Sequence, residues 1–331
     1  MQAVWPARLP ERGLGTDGID VRVHNPIGFV ADDSAVPAVD GLDAGQVVRL
    51  AMQGAPLSAR SVPPRLADEI GAAVTAAITA RVDLRKRLAR EEHSIVLRRA
   101  AIDAFGRTPT PSVSVVMATR RPEMLQHAVA QVARQRGVPD LELVLAPHGF
   151  TPDVPAGDLP VRVVPAGADV VFGDVLNLAV AAATGDVVLK MDDDDWYAPD
   201  FVADLLRARA YSGARLVGAP DDLYYLEDRG VSLRLGHPGE VYKGFVAGGT
   251  MLIDRSALLA VGGFASVPRH VDKALTTAVR EAGGAVYRIH GLGYMLRRTA
   301  SGHTWDADLD DLVSRAVQTA RGFRPGRLME L

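Results

Sequence analysis

The sequence contains no cysteine among its 331 residues. Disulfide bonds, zinc sites built on thiolates and cysteine nucleophiles are therefore excluded. Lysine is also scarce, because the 37 basic residues include only Lys86, Lys190, Lys243 and Lys273. The formal net charge of −3 gives no basis for a nucleic-acid partner, so we expect none.

Long apolar stretches are absent as well. No run of about 18 apolar residues, the length that spans a bilayer, occurs in the sequence. Residues 1–13 are polar and proline-rich and lack the hydrophobic core of a signal peptide. We therefore expect a cytoplasmic protein. A charged helix predicted at residues 85–99 is either a solvated face or a peripheral membrane contact, and both readings stay open.

The length and the hydrophobic content of 48% are sufficient for two folded domains. We predict an accessory domain at residues 1–110, which is either a small α/β domain or mainly helical. Its elements are a strand at 19–23, helices at 43–52 and 66–84, the charged helix and a Thr-Pro linker at 108–111. A second domain follows at residues 111–305, and a C-terminal helix and tail at 306–331.

Strands and helices alternate in the first half of the second domain. Apolar runs predict strands at residues 112–118, 141–145, 161–164 and 186–191, with helices between them. This order implies right-handed crossovers and a mostly parallel sheet flanked by helices. Later segments predict short strands at 215–218, 223–226, 231–235 and 245–253, and helices at 272–282 and 309–319.

Four consecutive aspartates, residues 192–195, end the strand predicted at 186–191. Adjacent carboxylates repel one another unless a cation offsets their charge. Hard divalent cations such as Mg²⁺ and Mn²⁺ take carboxylate oxygens, and ligands of open α/β sheets bind at the carboxyl ends of strands. The pattern therefore predicts a metal and diphosphate site.

Three alternative roles for the four aspartates are weaker. They could simply stabilise the N-terminus of the helix predicted at residues 200–211. An EF-hand loop would need Gly and Glu where Tyr197 and Ala203 stand, so that site is excluded. A phosphatase of the haloacid dehalogenase type would need Thr or Val at the position of Trp196.

Taken together, the order of five segments resembles the family 2 glycosyltransferases of the GT-A fold. These segments are residues 115–121, 176–186, 191–199, 248–264 and 271–283. The resemblance covers about residues 111–305. It implies a Rossmann-like sheet and metal-dependent, inverting transfer of a sugar from a nucleotide-diphosphate sugar donor. The acceptor would be a hydroxyl group of a glycan, a lipid-linked molecule or a small molecule, in bacterial polysaccharide, cell-surface glycan or glycoconjugate synthesis.

The resemblance also implies roles for single residues. Asp194 would bind Mn²⁺ or Mg²⁺, with help from Asp192 and His303. Asp192 would also contact the ribose or sugar of the donor, and Asp193 belongs to the same donor-binding group. Asp272, at the start of a predicted helix, would be the catalytic base.

The base of the donor would be gripped by Thr119 and Arg120, and Asn177 is a further donor-binding candidate. The family commonly ends its second strand with two aspartates that read uracil. Here that place holds residues 146–148, so His148 is a candidate substitute. The family also commonly has Glu before the catalytic Asp, where this sequence has Val271.

Several alternatives stay open at this point. Asp272 could instead cap its helix, His303 could be structural, and Asn177 could cap or pack. Trp196 and Tyr197 could pack in the interior or stack on a sugar.

Two further functions also stay open. The protein could be an inactive nucleotide- or carbohydrate-binding module of the same fold. A sugar nucleotidyltransferase would normally have glycines after the first strand, which residues 119–122 lack. A homodimer is not excluded.

Overall fold

The chain forms two compact units, Met1–Pro109 and Thr110–Leu331, in a computed structural model. The structure describes residue 39 and residues 41–106, 110–299 and 309–331. The strand predicted at residues 19–23 lies outside these ranges. Among the helices of the described residues, none has the length and apolar character needed to cross a membrane. The assignment of separate roles to residues 1–110, 111–305 and 306–331 stays a prediction.

The described part of the first unit is helical. Its helices are α1 (Ala44–Met52), α2 (Pro64–Ile70), α3 (Ala72–Thr79) and α4 (Arg87–Phe105). A capping box begins α1, because the Gln46 N–H donates to Asp43 Oδ1 at 2.8 Å and the Asp43 N–H donates to Gln46 Oε1 at 2.9 Å. Helices α1 and α3 both pack on α4.

The predicted charged helix is α4, and its arginines differ in exposure: Arg87 is exposed, but the later ones are not. Arg90, Arg98 and Arg99 are half-buried. Arg98 Nε donates to the carbonyl of Met52 at 2.9 Å, and Arg90 Nη1 donates to the carbonyl of Leu84 at 3.1 Å. Arg90 and Arg98 therefore do not form a fully solvated face, because their long side chains lie along the unit and donate to backbone carbonyls.

The second unit combines two sheets with helices. Its strands are β1 (Val113–Thr119), β2 (Leu141–Pro147), β3 (Val161–Val163), β4 (Val187–Lys190), β5 (Trp196–Tyr197), β6 (Leu216–Gly218), β7 (Leu223–Leu226), β8 (Val231–Arg234), β9 (Val241–Tyr242), β10 (Met251–Asp254), β11 (Val286–Arg288), β12 (Tyr294–Arg298) and β13 (Gln318–Arg321). Its helices are α5 (Leu125–Ala133), α6 (Phe172–Ala182), α7 (Phe201–Ser212), α8 (Arg255–Ala260), α9 (Val271–Glu281) and α10 (Leu309–Arg315).

The larger sheet has the strand order β3-β2-β1-β4-β10-β6-β11-β9, and the smaller has the order β13-β8-β7-β12-β5. In the larger sheet, β3, β2, β1 and β4 are parallel, and β6 is parallel to β11. Strand β10 lies between β4 and β6 and is antiparallel to both. The predicted α/β fold with a mostly parallel central sheet is confirmed.

Apolar side chains hold the helices on the larger sheet. Val116 of β1, Val188 of β4 and Ile253 of β10 belong to one buried cluster with Leu176 of α6 and Leu275 of α9. The removal of this apolar surface from water is the main driving force that packs α6 and α9 against the strands.

The chain direction of the strands collects several loops at one edge of the larger sheet. Because β1, β2, β4 and β6 run in the same direction, their carboxyl ends lie together. The antiparallel strand β10 begins at this edge. Strand β11 is parallel to β6 and therefore starts at the opposite edge, so α9, which leads into β11, begins at the ligand-binding edge. This edge is where open α/β sheets bind ligands.

Two late elements differ from the sequence-based prediction. The helix expected at residues 309–319 ends at Arg315, and β13 follows, paired antiparallel with β8. The Val317 N–H donates to the carbonyl of Arg234 at 2.8 Å, so pairing with the open edge of β8 replaces the last helical turn. The strand expected at 245–253 begins only at Met251, after a 3₁₀ turn at Gly248–Thr250.

Candidate functional site

Residues 192–195, the acidic turn, follow β4 at the ligand-binding edge of the larger sheet. Asp192 is the most open of the four, with 38% of its side chain exposed. Asp193, Asp194 and Asp195 are buried. Buried carboxylates need partners, and the chain supplies a different set to each of them.

Arg121 binds two of these carboxylates. Its guanidinium contacts Asp193 through Nη2 and Nε, and Nη1 lies 2.9 Å from Asp194 Oδ2. The Thr119 hydroxyl also donates to Asp193. Burial would lower the pKa of Arg121, but the two aspartates raise it, so the guanidinium stays charged. The loop after β1 is thereby tied to the acidic turn.

Asp195 is held in the interior. Its Oδ2 accepts a hydrogen bond from the Tyr294 hydroxyl at 2.5 Å, and its Oδ1 accepts one from the Arg297 N–H at 2.9 Å. Burial, together with the charges of Asp194 and Asp192, raises the pKa of Asp195 well above its usual value. Asp195 therefore connects the turn to β12 and lies away from solvent.

Asp192 has a buried cation beside it. Lys190 Nζ lies 2.5 Å from Asp192 Oδ1 and 3.0 Å from the carbonyl oxygen of Gly248. The Lys190 side chain is only 5% exposed. A charged side chain this deep at the end of a strand is rare unless it is paired, as it is here.

Two glycines separate the acidic turn from the predicted catalytic base. A Cβ atom on Gly249 would lie 2.8 Å from Asp192 Oδ2, and a Cβ atom on Gly248 would lie 3.3 Å from the Cβ of Asp272. A side chain at Gly249 would clash with the Asp192 carboxylate, and one at Gly248 would crowd Asp272. The structure therefore brings Asp192 and Asp272 to the same two-residue segment.

Asp272 is the second residue of α9 and is half-buried. The N-cap of this helix is His270, whose φ of 63° is left-handed and whose side chain makes no capping hydrogen bond. The alternative that Asp272 caps α9 is therefore wrong.

Arg120 and His148 lie together at the ends of β1 and β2. Arg120 Nε lies 2.9 Å from His148 Nδ1, and Arg120 Nη2 donates to the carbonyl of Ala168 at 3.1 Å. Burial and the neighbouring Arg120 charge lower the pKa of His148, so its ring is neutral near pH 7. The structure places these two candidates for base recognition in direct contact.

Asn177 of α6 binds the backbone of Phe264. Its Nδ2 donates to the Phe264 carbonyl at 2.8 Å, and its Oδ1 accepts from the Phe264 N–H at 2.8 Å. These two hydrogen bonds give Asn177 the structural role that was one of its two alternatives. A contact between Asn177 and the donor stays a prediction.

The aromatic residues after the acidic turn also pack. The Trp196 ring contacts the rings of His127, Tyr225 and Phe323, with centroids 4.7 to 6.0 Å apart. Tyr197 is fully buried. Of the two alternatives for these rings, packing is the one that the contacts describe.

The predicted metal ligands are only partly described. His303 lies outside the described residues. Within the described ranges, no group of three or more His, Asp or Glu side chains is arranged to hold a metal ion. Asp192 and Asp194 nevertheless offer carboxylate oxygens, which are hard donors, at the ligand-binding edge of the larger sheet. This donor set fits a cation that takes one or two carboxylates and completes its coordination with phosphate oxygens and water.

Sequence reasoning overlooked Arg121, Lys190 and Tyr294 as partners of the acidic turn. A signal was present for Lys190, because a lysine directly inside a buried apolar strand implies a specific partner. Arg121 gave a weaker signal, as one of many arginines in the chain.

A mostly parallel α/β sheet flanked by helices, with carboxylates at its ligand-binding edge, agrees with the GT-A fold. Residues 113–276 match Glycosyl transferase family 2, so this segment of the chain is a family 2 glycosyltransferase domain. A search of curated proteins gave no match.

Among solved structures, the chain is similar to the mannosyltransferase PcManGT from Pyrobaculum calidifontis, determined in complex with GDP-Man and Mn²⁺. The TM-score is 0.48 and the sequence identity is 17%. The similarity covers 60% of this chain and 59% of the mannosyltransferase chain.

Proposed function

We propose that the chain transfers a sugar from a nucleotide-diphosphate sugar to a hydroxyl acceptor with inversion at the anomeric carbon. The observation that supports this most is the approach of Asp192 and Asp272 to the same glycine pair. A carboxylate on the donor side and a half-buried carboxylate beside the same backbone segment would supply a metal ligand and a general base for a single displacement. Asp272 would accept the proton of the attacking hydroxyl.

Asp194 and Asp192 would hold Mn²⁺ or Mg²⁺, and His303 is the proposed third protein ligand. A bound dication neutralises the charge that develops on a departing diphosphate. Arg121 and Lys190 neutralise part of the acidic turn and keep its carboxylates in place. Arg120 and His148, which contact each other, would bind the nucleotide base of the donor, and Thr119 would lie beside them.

The acceptor side would be framed by the Gly248–Thr250 turn and by the segment after Asp221. The acceptor itself, whether a glycan, a lipid-linked molecule or a small molecule, belongs to this proposal, as does a role in polysaccharide, cell-surface glycan or glycoconjugate synthesis. The first unit would serve acceptor docking, dimerisation or peripheral membrane contact.

A thermal-shift screen of nucleoside diphosphates and their sugars, with and without Mn²⁺, tests the donor half of the proposal. A ligand that binds the folded state raises the melting temperature by mass action. We expect at least one nucleotide sugar to give a larger shift with Mn²⁺ than without it. The same donor should then be hydrolysed or transferred by the protein.

The two remaining functions give different results in this experiment. Nucleotide-sugar binding without hydrolysis or transfer to any acceptor would indicate an inactive binding module. Turnover of a nucleoside triphosphate with a sugar phosphate would indicate a nucleotidyltransferase. Either result contradicts the proposed transferase.

A further inference from the structure

We propose that Lys190 is a positioning residue that sets the acidic turn against the glycine segment and competes with a divalent cation for Asp192. This inference deepens the proposed function and rests on it for its catalytic consequence. Its first basis is geometric: one buried ammonium lies 2.5 Å from Asp192 Oδ1 and 3.0 Å from the Gly248 carbonyl oxygen.

The position of Gly248 makes this contact relevant to chemistry. A Cβ on Gly248 would lie 3.3 Å from the Cβ of Asp272 and 3.4 Å from its Oδ2. The Lys190 ammonium therefore contacts the carboxylate of Asp192 and also the backbone carbonyl of Gly248, the residue that lies against Asp272. Loss of the ammonium would release both contacts together, and the spacing of the two carboxylates would no longer be fixed.

The register of the sheet strengthens the argument. Lys190 is paired with Met251 across β4 and β10, so the lysine stands where the two antiparallel strands meet the ligand-binding edge. Ladder hydrogen bonds hold the backbone on both sides, and the Lys190 side chain is only 5% exposed, so the surrounding atoms leave the ammonium little freedom to follow Asp192 elsewhere. The ion pair of Lys190 with Asp192 therefore holds a constant position between the acidic turn and the glycine segment.

The charge of Lys190 has a separate consequence for metal binding. A cation that approaches Asp192 meets an ammonium on the same carboxylate, and like charges a few ångströms apart repel one another even where the carboxylate is partly solvated. Removal of the ammonium should therefore tighten the binding of a dication. A lysine that only supported the fold would not act in this direction.

The test compares Lys190→Met, which keeps the length and loses the charge, with Lys190→Arg, which keeps the charge. Titration of each protein with Mn²⁺ alone gives the metal affinity without any donor. We expect Lys190→Met to bind Mn²⁺ at least about five-fold more tightly than the parent protein, and Lys190→Arg to differ by less than two-fold. In a transfer assay, Lys190→Met should lower kcat about ten-fold while the KM for the donor changes less.

Arg209→Met is the matched control. It removes an ion pair of 2.7 Å with Asp254, which pairs with Val187 at the opposite end of β4 from Lys190. This control should leave Mn²⁺ affinity unchanged. Unchanged or weaker Mn²⁺ binding in Lys190→Met, or no detectable binding in either protein, overturns the inference even where transfer is observed. Tighter binding without any transferase activity would support the role of Lys190 and contradict the proposed function.

Discussion

The side-chain hydroxyl of Tyr197 binds the backbone N–H of Asp192. The Tyr197 hydroxyl accepts a hydrogen bond from the Asp192 N–H at 2.9 Å and donates one to the Gly249 carbonyl at 2.9 Å. A single buried hydroxyl therefore joins the acidic turn to the glycine segment, on a path separate from the Lys190 side chain. The position of Asp192 is fixed at both its backbone and its carboxylate.

Tyr197→Phe should destabilise the second unit. The substitution leaves a half-buried N–H of Asp192 and a buried carbonyl of Gly249 without their partner, at a cost of about 1–3 kcal/mol. Tyr242→Phe is a suitable control, because that ring is 44% exposed and water can replace its hydroxyl bond to Ser212. Urea unfolding of both variants measures the difference. Equal midpoints for the two variants would show that the Tyr197 hydroxyl does not stabilise the turn.

Arg121→Met should destabilise the protein more than the loss of a surface ion pair. Among the described residues, the Asp193 carboxylate would keep only its hydrogen bond from Thr119, and a buried carboxylate without a cation is costly. Because Arg121 is 29% exposed, we expect a loss of about 2–3 kcal/mol, below the full value for a buried pair. The measurement is urea unfolding at neutral pH.

Arg136→Met provides the comparison for that experiment. Arg136 pairs with Asp200 and Glu330 on the surface, where its side chain is 52% exposed. Its loss should cost less than about 1 kcal/mol. If both arginine variants unfold at the same urea concentration, the acidic turn does not depend on Arg121.

Asp272→Asn should abolish transfer and preserve nucleotide binding. The amide cannot accept the acceptor proton, and general-base catalysis contributes roughly 10²–10⁴ in rate. The measurements are the transfer rate and the thermal shift with a nucleoside diphosphate and Mn²⁺. Glu281→Gln, an exposed carboxylate at the far end of the same helix, should change neither. Near-normal turnover of the Asp272 variant would exclude this residue as the base.

The first unit should lose stability as the pH falls. Burial lowers the pKa of His93 below its ordinary value of 6.5, although a bond of 2.8 Å between its Nε2 and the Leu57 carbonyl acts in the other direction. Below about pH 6.5 the unfolded chain binds a proton that the folded unit resists, so folding weakens until the pH reaches the folded pKa. His93→Gln removes this titration and should flatten the decline in the urea midpoint between about pH 7.5 and pH 5.5.

His237 should show the opposite dependence of stability on pH, because its pKa is raised where that of His93 is lowered. The Asp221 carboxylate, with Oδ1 3.1 Å from Nδ1 of His237, raises the pKa of His237. The contribution of His237 to stability is therefore complete below the ordinary pKa and is lost as the pH rises through the folded pKa. His237→Gln should therefore reduce stability at low pH and leave the high-pH midpoint nearly unchanged. Identical pH profiles for both histidine variants would contradict the two assignments.

The sequence was informative where local pattern decides the structure. An apolar run followed by carboxylates predicted β4 and the acidic turn, and helical periodicity predicted the helix that presents Asp272. Partner choice was not predictable, because Arg121 meets Asp193 across 72 residues of chain and only the register of β1 beside β4 brings them together. The end of α10 was missed for the same reason, since the edge of β8 captures residues whose own pattern is helical.

The insertion of β10 between β4 and β6 makes the chain between β6 and β10 an excursion from the centre of the larger sheet. Strands β7 and β8 of this excursion belong to the smaller sheet, and β9 lies at the far edge of the larger one. A backbone bond of 2.8 Å from the Ala247 N–H to the Ala219 carbonyl closes its base. Because neither β4 nor β10 pairs with the excursion, a change in its turns would leave the register beneath Asp192 unchanged. Its strand β7, by contrast, pairs with β12, so a change in β7 would reach the residues that hold Asp195.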